Sequence, residues 1–204
     1  LGGFGAILAL GVAAPAQAQY AAGGGTATGG QSIAIGANTG TDPTASGPSA
    51  VAIGDGATAD GAFIYAHQRV DANGAPASFT ADNYGAIALG SSATVTSGGI
   101  AVGSNASSSA ALAVAFGQGA LAGGTSATAI GPAAYATASH SVAFGYQSAA
   151  ASARSIAIGA VSTATGTSAT AIGLSASASG DRSIAFGASA TDAKDDGWET
   201  IALQ

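Results

Sequence analysis

Residues 141–187 read SVAFGYQSAAASARSIAIGAVSTATGTSATAIGLSASASGDRSIAFG, in which one tetrad returns as VAFG, IAIG, TAIG and IAFG and closes on Gly145, Gly159, Gly173 and Gly187. Working outward, the same tetrad is found as IAIG, VAIG, IALG, IAVG, VAFG and TAIG, ending at Gly36, Gly54, Gly90, Gly103, Gly117 and Gly131. The closing glycines are 18, 36 and 13 residues apart, and then 14 apart six times in succession. A fixed period of this kind is the signature of a stacked repeat array. Within each unit large residues alternate with alanine, as in Ile156, Ala157 and Ile158, which is the period of a short strand. A second alternation of small residues follows three and five positions after the glycine, as in Ala120 and Ala122, Ala134 and Ala136, or Ala176 and Ala178. Each unit therefore reads strand, turn, strand, turn. Fourteen residues cannot enclose a core alone, so the units must stack at about 4.8 Å per rung into a parallel solenoid. The ladder of Ile, Val, Leu and Phe is expected to form its thin core, with the glycine at the corner.

Composition excludes several alternatives. The chain has 204 residues, of which 7% are charged and 6% aromatic, with 33 glycines and neither cysteine nor methionine. Gly, Ser, Ala and Thr dominate as they do in disordered chains, but disordered chains lack periodic Ile, Val and Phe. The net charge is −6, and the four cations Arg69, Arg154, Arg182 and Lys194 form no basic stripe for phosphates, so nucleic acid is not an expected partner. Residues 1–14, LGGFGAILALGVAA, are apolar and uncharged, and Ala16 and Ala18 follow in an A-x-A arrangement. This predicts the remnant of a signal peptide over 1–18, cleaved after Ala18, and hence export. Residues 19–30 read as a Gly/Ala-rich lead-in.

The residue between the two large positions is alanine in every copy, and Ala101, Ala115, Ala129, Ala143, Ala157, Ala171 and Ala185 carry it through the regular rungs. In a strand it faces away from the aliphatic ladder. A solvated face would admit polar residues, so this face is expected to pack on copies of the same chain. The alternative is crowding inside the coil itself.

With its register established, the repeat resembles the head of a trimeric autotransporter adhesin, the YadA-like family of Gram-negative surface proteins. The residues that carry the resemblance are SIAIG at 32–36, SVAFG at 141–145, SIAIG at 155–159 and SIAFG at 183–187, and it extends over roughly 31–191. It implies an all-β, left-handed parallel β-roll, three chains per head, display on the outer membrane, and adhesion to a matrix protein, a cell or another surface. Gln31, His140 and Arg154 stand where the family has Asn before the serine, which departs from the motif tied to collagen in some members. The resemblance places ligand contacts at His140, Ser141, Arg154, Ser155, Arg182 and Ser183. Ala190 to Ala193, ATDA, is similar to the start of the family's neck, but KDDGWETIALQ after it departs from the neck's continuation, so 192–204 reads as a neck-like or divergent end. Neither coiled-coil heptads nor barrel strands are legible, so the stalk and the C-terminal membrane anchor are expected outside this sequence.

The 36-residue spacing between Gly54 and Gly90 holds an insertion at about 60–85, with Phe63, Tyr65, His67, Arg69, Phe79 and Tyr84. Such a loop on a repeat scaffold is either a ligand site, with Tyr65, His67 and Arg69 as contacts, or a degenerate rung with a longer turn. No catalytic constellation is legible. His67 and His140 have no Ser or carboxylate partner at fixed spacing, Asp195, Asp196 and Glu199 read as a solvated acidic turn, and no cofactor or metal is expected. Trp198 is expected to pack the end of the roll. An ice-binding solenoid would need a regular Thr array, but the position four after each glycine reads Thr94, Ser107, Leu121, Tyr135, Ala149, Thr163, Ser177 and Thr191. A hexapeptide acyltransferase needs a six-residue period, which fourteen does not fit. A purely structural surface fibre remains a rival to the adhesin.

Overall fold

The computed structural model describes residues 20–28, 32–36, 42–47, 50–60, 63–67, 80–84, 86–192 and 201–203, with the backbone alone at 63–67 and 80–84. The expected signal segment, Arg69, Phe79 and Trp198 lie outside them. Among the described residues every regular element is a strand. A twelve-stranded sheet of mostly three-residue strands, here the broad sheet, faces an eleven-stranded sheet of two-residue strands, the narrow sheet. Consecutive coils contribute one strand to each, and all these pairings are parallel, so the molecule is a β-solenoid. The register repeats the sequence period: Ala101 pairs with Ala115, Ala115 with Ala129 and Ala129 with Ala143.

The stack runs beyond the motif at both ends. Tyr20–Ala22 and Thr26–Ala27 form the first coil, within the segment expected to be a lead-in. Ile201–Leu203 adds a last strand to the broad sheet against Ile184–Phe186. Across the insertion, Val51–Ile53 pairs directly with Ile87–Leu89, so the solenoid is continuous. The inserted segment forms an antiparallel ribbon of Phe63–His67 with Thr80–Tyr84, as an excursion from the turn between a narrow and a broad strand.

The glycine closing each tetrad makes the corner. Gly145 has φ +133, and a Cβ there would lie 2.5 Å from the carbonyl oxygen of Gly159 in the next rung. No L side chain fits either constraint, which is why the glycine recurs. Each turn, at the glycine corner and at the opposite end of the coil alike, also holds a residue in the left-handed region whose N–H donates to the preceding rung, as Val161 does to the Tyr146 carbonyl at 2.8 Å and Arg154 to that of Ser139 at 3.0 Å.

The core is the reverse of the expected one. The alanine at the centre of each broad strand is fully buried from Ala34 to Ala185, including Ala101, Ala115, Ala129, Ala143, Ala157, Ala171 and Ala185, and only the end strands leave theirs open to solvent, Ala21 exposed and Ala202 half-buried. So are the narrow-sheet alanines Ala122, Ala136, Ala150, Ala164 and Ala178. The flanking Ile, Val, Leu and Phe point outward and are half-buried or exposed; Phe116, Phe144 and Phe186 are 54%, 51% and 53% exposed. A coil of two very short strands holds its sheets too close for large side chains, so alanine and serine fill the interior. Val95 is the exception in the buried apolar cluster, in the coil whose turn carries Gly98 and Gly99.

Candidate binding surfaces

A solenoid whose interior is alanine can act only through what its coils project, and three surfaces follow from the register. The first is the outer face of the broad sheet. Ile100, Val114, Thr128, Val142, Ile156, Thr170 and Ile184 stack in one column, and Val102, Phe116, Ile130, Phe144, Ile158, Ile172 and Phe186 in a parallel one. This two-column apolar stripe continues toward the N-terminus through Ile87, Val51 and Ile33. Near its middle, the 13-residue coil omits one turn residue and leaves an apolar recess of about 260 Å³ lined by Ile87, Gly98, Gly99, Ile100, Leu112, Ala113 and Val114.

The alanines expected to meet other copies of the chain have no surface to offer. Ala101, Ala115, Ala129, Ala143, Ala157, Ala171 and Ala185 line the inside of their own coil, so the crowding alternative accounts for their constancy. The face available to another chain is the aliphatic and aromatic one that the sequence reading assigned to the core. The signal for it was present: ten interior positions restricted to alanine describe a cavity one methyl wide, and the large residues beside it have to lie outside.

The second surface is the turn leading from each narrow strand to the next broad strand. Leu112, Ser126, His140, Arg154, Ser168 and Arg182 occupy its left-handed position in successive rungs, with φ between 55° and 60°. His140, Arg154 and Arg182 are exposed there, and the Arg154 Nε donates to the Ser168 hydroxyl at 3.3 Å. The serines that follow them are a different matter. Ser141, Ser155 and Ser183 are fully buried, so they are not accessible ligand contacts as expected. Ser141 and Ser155 donate to the carbonyls of Ala138 and Ser152, each at 2.6 Å, and thereby close their own turns. The Ser183 hydroxyl has no partner.

The matching pattern of turns and buried serines now has a counterpart among known proteins. The sequence matches the YadA head domain repeat (2 copies) over residues 26–39, 45–63, 122–148, 136–162 and 164–190. The chain carries YadA head domain repeats. No curated protein gives a significant match to it. Three of the matched segments, 122–148, 136–162 and 164–190, fall within the run of regular YadA head coils that presents His140, Arg154 and Arg182.

The third surface is the ribbon. Its pairing sets Phe63 opposite Tyr84, Tyr65 opposite Asp82 and His67 opposite Thr80, so Tyr65 and His67 occupy alternate positions of one strand. They are not brought to the row that holds His140, which lies several coils away. The outer positions of the narrow sheet, Thr94, Ser107, Leu121, Tyr135, Ala149, Thr163, Ser177 and Thr191, form a single column, broken by apolar residues in its middle.

Proposed function

We propose that this chain is the head of a trimeric autotransporter adhesin, exported to the surface of a Gram-negative bacterium, where it attaches the cell to matrix, cells or other surfaces. The observation that carries the reading is the apolar stripe of the broad sheet. Twelve strands at roughly 4.8 Å make it about 50 Å long, and soluble monomers rarely leave so continuous an apolar strip facing water. A threefold arrangement would turn three such stripes toward one axis and leave the narrow sheets and the turns outside. The YadA head repeats support the same assembly, with the left-handed winding the resemblance implies, and adhesion as its purpose. Ligand contact then falls to the turn row with His140, Arg154 and Arg182, and to the ribbon with Tyr65, His67 and Arg69.

Sedimentation of the full chain tests the assembly: a trimer is expected, and a folded monomer at micromolar concentration would overturn it. Attachment is tested separately, with beads carrying the chain on surfaces coated with matrix proteins. Retention no better than that of bare beads on every coating would favour a structural fibre instead.

A further inference from the structure

The rungs from Ala86 to Gly180 contain no Asp, Glu or Lys, and Arg154 is their sole formally charged residue. Arg182 follows two rungs later in the same turn position, and His140 precedes by one. Arg154 and Arg182 are the only cationic Lys or Arg residues among those described, and both are exposed. The column thus sets the backbone positions of the two arginines roughly 9.6 Å apart along a straight edge, with Ser168 between them and His140 one rung, roughly 4.8 Å, beyond Arg154.

The neighbouring chemistry leaves this row available to an anion. The Nε bond to Ser168 uses one of the five donors of Arg154 and ties the side chain toward the next rung. Asp181 is the one carboxylate in the same turns, and its Oδ1 accepts from the Thr167 N–H at 2.7 Å. Neither arginine is ion-paired among the described residues. Ser139 and Thr167, one residue before the row, add hydroxyls at the same edge.

We propose that the row of His140, Arg154 and Arg182 binds a linear polysaccharide bearing sulfate or carboxylate groups. A straight ligand is required because the row is straight and its register is fixed by the backbone ladder. Guanidinium groups suit oxyanions such as carboxylates and sulfates, two of whose oxygens they hold through paired N–H donors. The intervening serine and threonine hydroxyls suit sugar hydroxyls. Nucleic acid fits less well, since the row offers no aromatic platform for bases. Each row is a weak site, but three parallel rows on one rigid body would reinforce one another on a long polymer. This names a ligand class for the adhesin reading and rests on it only for the multivalency, because the row itself lies within one chain.

The test measures binding of the full chain to immobilised dextran sulfate, carboxymethyl dextran and plain dextran of equal length. Binding to either anionic polymer and not to plain dextran is expected, with at least about a tenfold loss in the Arg154→Ala/Arg182→Ala double variant and on raising salt. Gln147→Ala, on the opposite turn, is expected to leave binding unchanged. Ser168→Arg makes the row continuous at a backbone position that already accepts arginine twice, and is expected to tighten binding severalfold. The proposal is overturned if neither anionic polymer binds, if plain dextran binds equally, if the double variant retains full binding while its circular dichroism is native, or if duplex DNA binds as tightly as dextran sulfate. Sedimentation in the same samples separates the two readings: a monomer that binds dextran sulfate keeps the row and removes the trimer, while a trimer that does not bind removes the row alone.

Discussion

Thirteen non-glycine residues among those described hold φ between 52° and 60°. From Asn105 to Ser189 they fall at every seventh residue, with Gly119 completing the series. This left-handed turn position therefore recurs every seven residues, half the sequence period. It was not legible because the position selects almost no residue type: Leu112, Ala133, Gln147, Arg154, Val161 and Ser168 all occupy it. The inter-rung hydrogen bond of each N–H offsets the steric cost. For a β-branched residue that cost is highest, of the order of 1–2 kcal/mol. Val161→Gly is therefore expected to stabilise the fold by about 1 kcal/mol, after the added entropy of the unfolded glycine is subtracted, and to raise the denaturation midpoint; a lowered midpoint would mean the valine is held by contacts its 45% exposure does not suggest. The buried serines give a paired comparison. Ser155→Ala removes the hydroxyl bond to the Ser152 carbonyl and is expected to destabilise by about 1 kcal/mol. Ser183→Ala removes a buried hydroxyl without a partner and is expected to be neutral or stabilising. Equal losses in urea titrations would contradict the distinction.

At the scale of the element, the sequence reveals the period, the strands, the turns and the corner glycine, because each depends on local spacing. It does not reveal which side of a strand is inside. Alternation gives two faces, and the usual assignment of the larger residues to the core assumes a core wide enough to hold them. In this coil Ala157 is fully buried together with Ala150 and Ala164 of the narrow sheet, while Ile156 and Ile158 lie outside. Ala157→Leu is therefore expected to cost about 3 kcal/mol or more, since neither sheet can retreat without breaking its ladder. Phe144→Ala, on the outer face, is expected to change the stability of an isolated coil stack by less than about 1 kcal/mol. The reverse order in a denaturation series would restore the aliphatic core. The ribbon belongs at this scale too. Because Val51–Ile53 already pairs with Ile87–Leu89, replacing residues 62–84 by a short turn is expected to keep the β-sheet circular dichroism and the cooperative melt; loss of the fold would mean the ribbon is part of the stack and not an excursion from it.

For the whole molecule, a stack of nearly identical rungs gains stability mainly from contacts between neighbours, so each coil depends on the next and the ends are the weakest points. A stripe of Phe116, Phe144, Phe186 and their aliphatic neighbours left in water would add nothing to that stability, and burying it between chains would add a term that grows with concentration. If three chains fold and assemble together, the melting midpoint has to rise with protein concentration, because mass action favours the associated native state over three free unfolded chains. A tenfold dilution is then expected to lower the midpoint by a few degrees. Phe116→Glu/Phe144→Glu places two carboxylates per chain on the stripe and, in a threefold arrangement, six near one axis, where burying unpaired charge is strongly unfavourable. That variant is expected to sediment as a monomer and to melt at a lower temperature that no longer depends on concentration. A concentration-independent midpoint in the unmodified chain, together with an unchanged midpoint in the variant, would leave the stripe in water and assign the stability of the head to the alanine ladder alone.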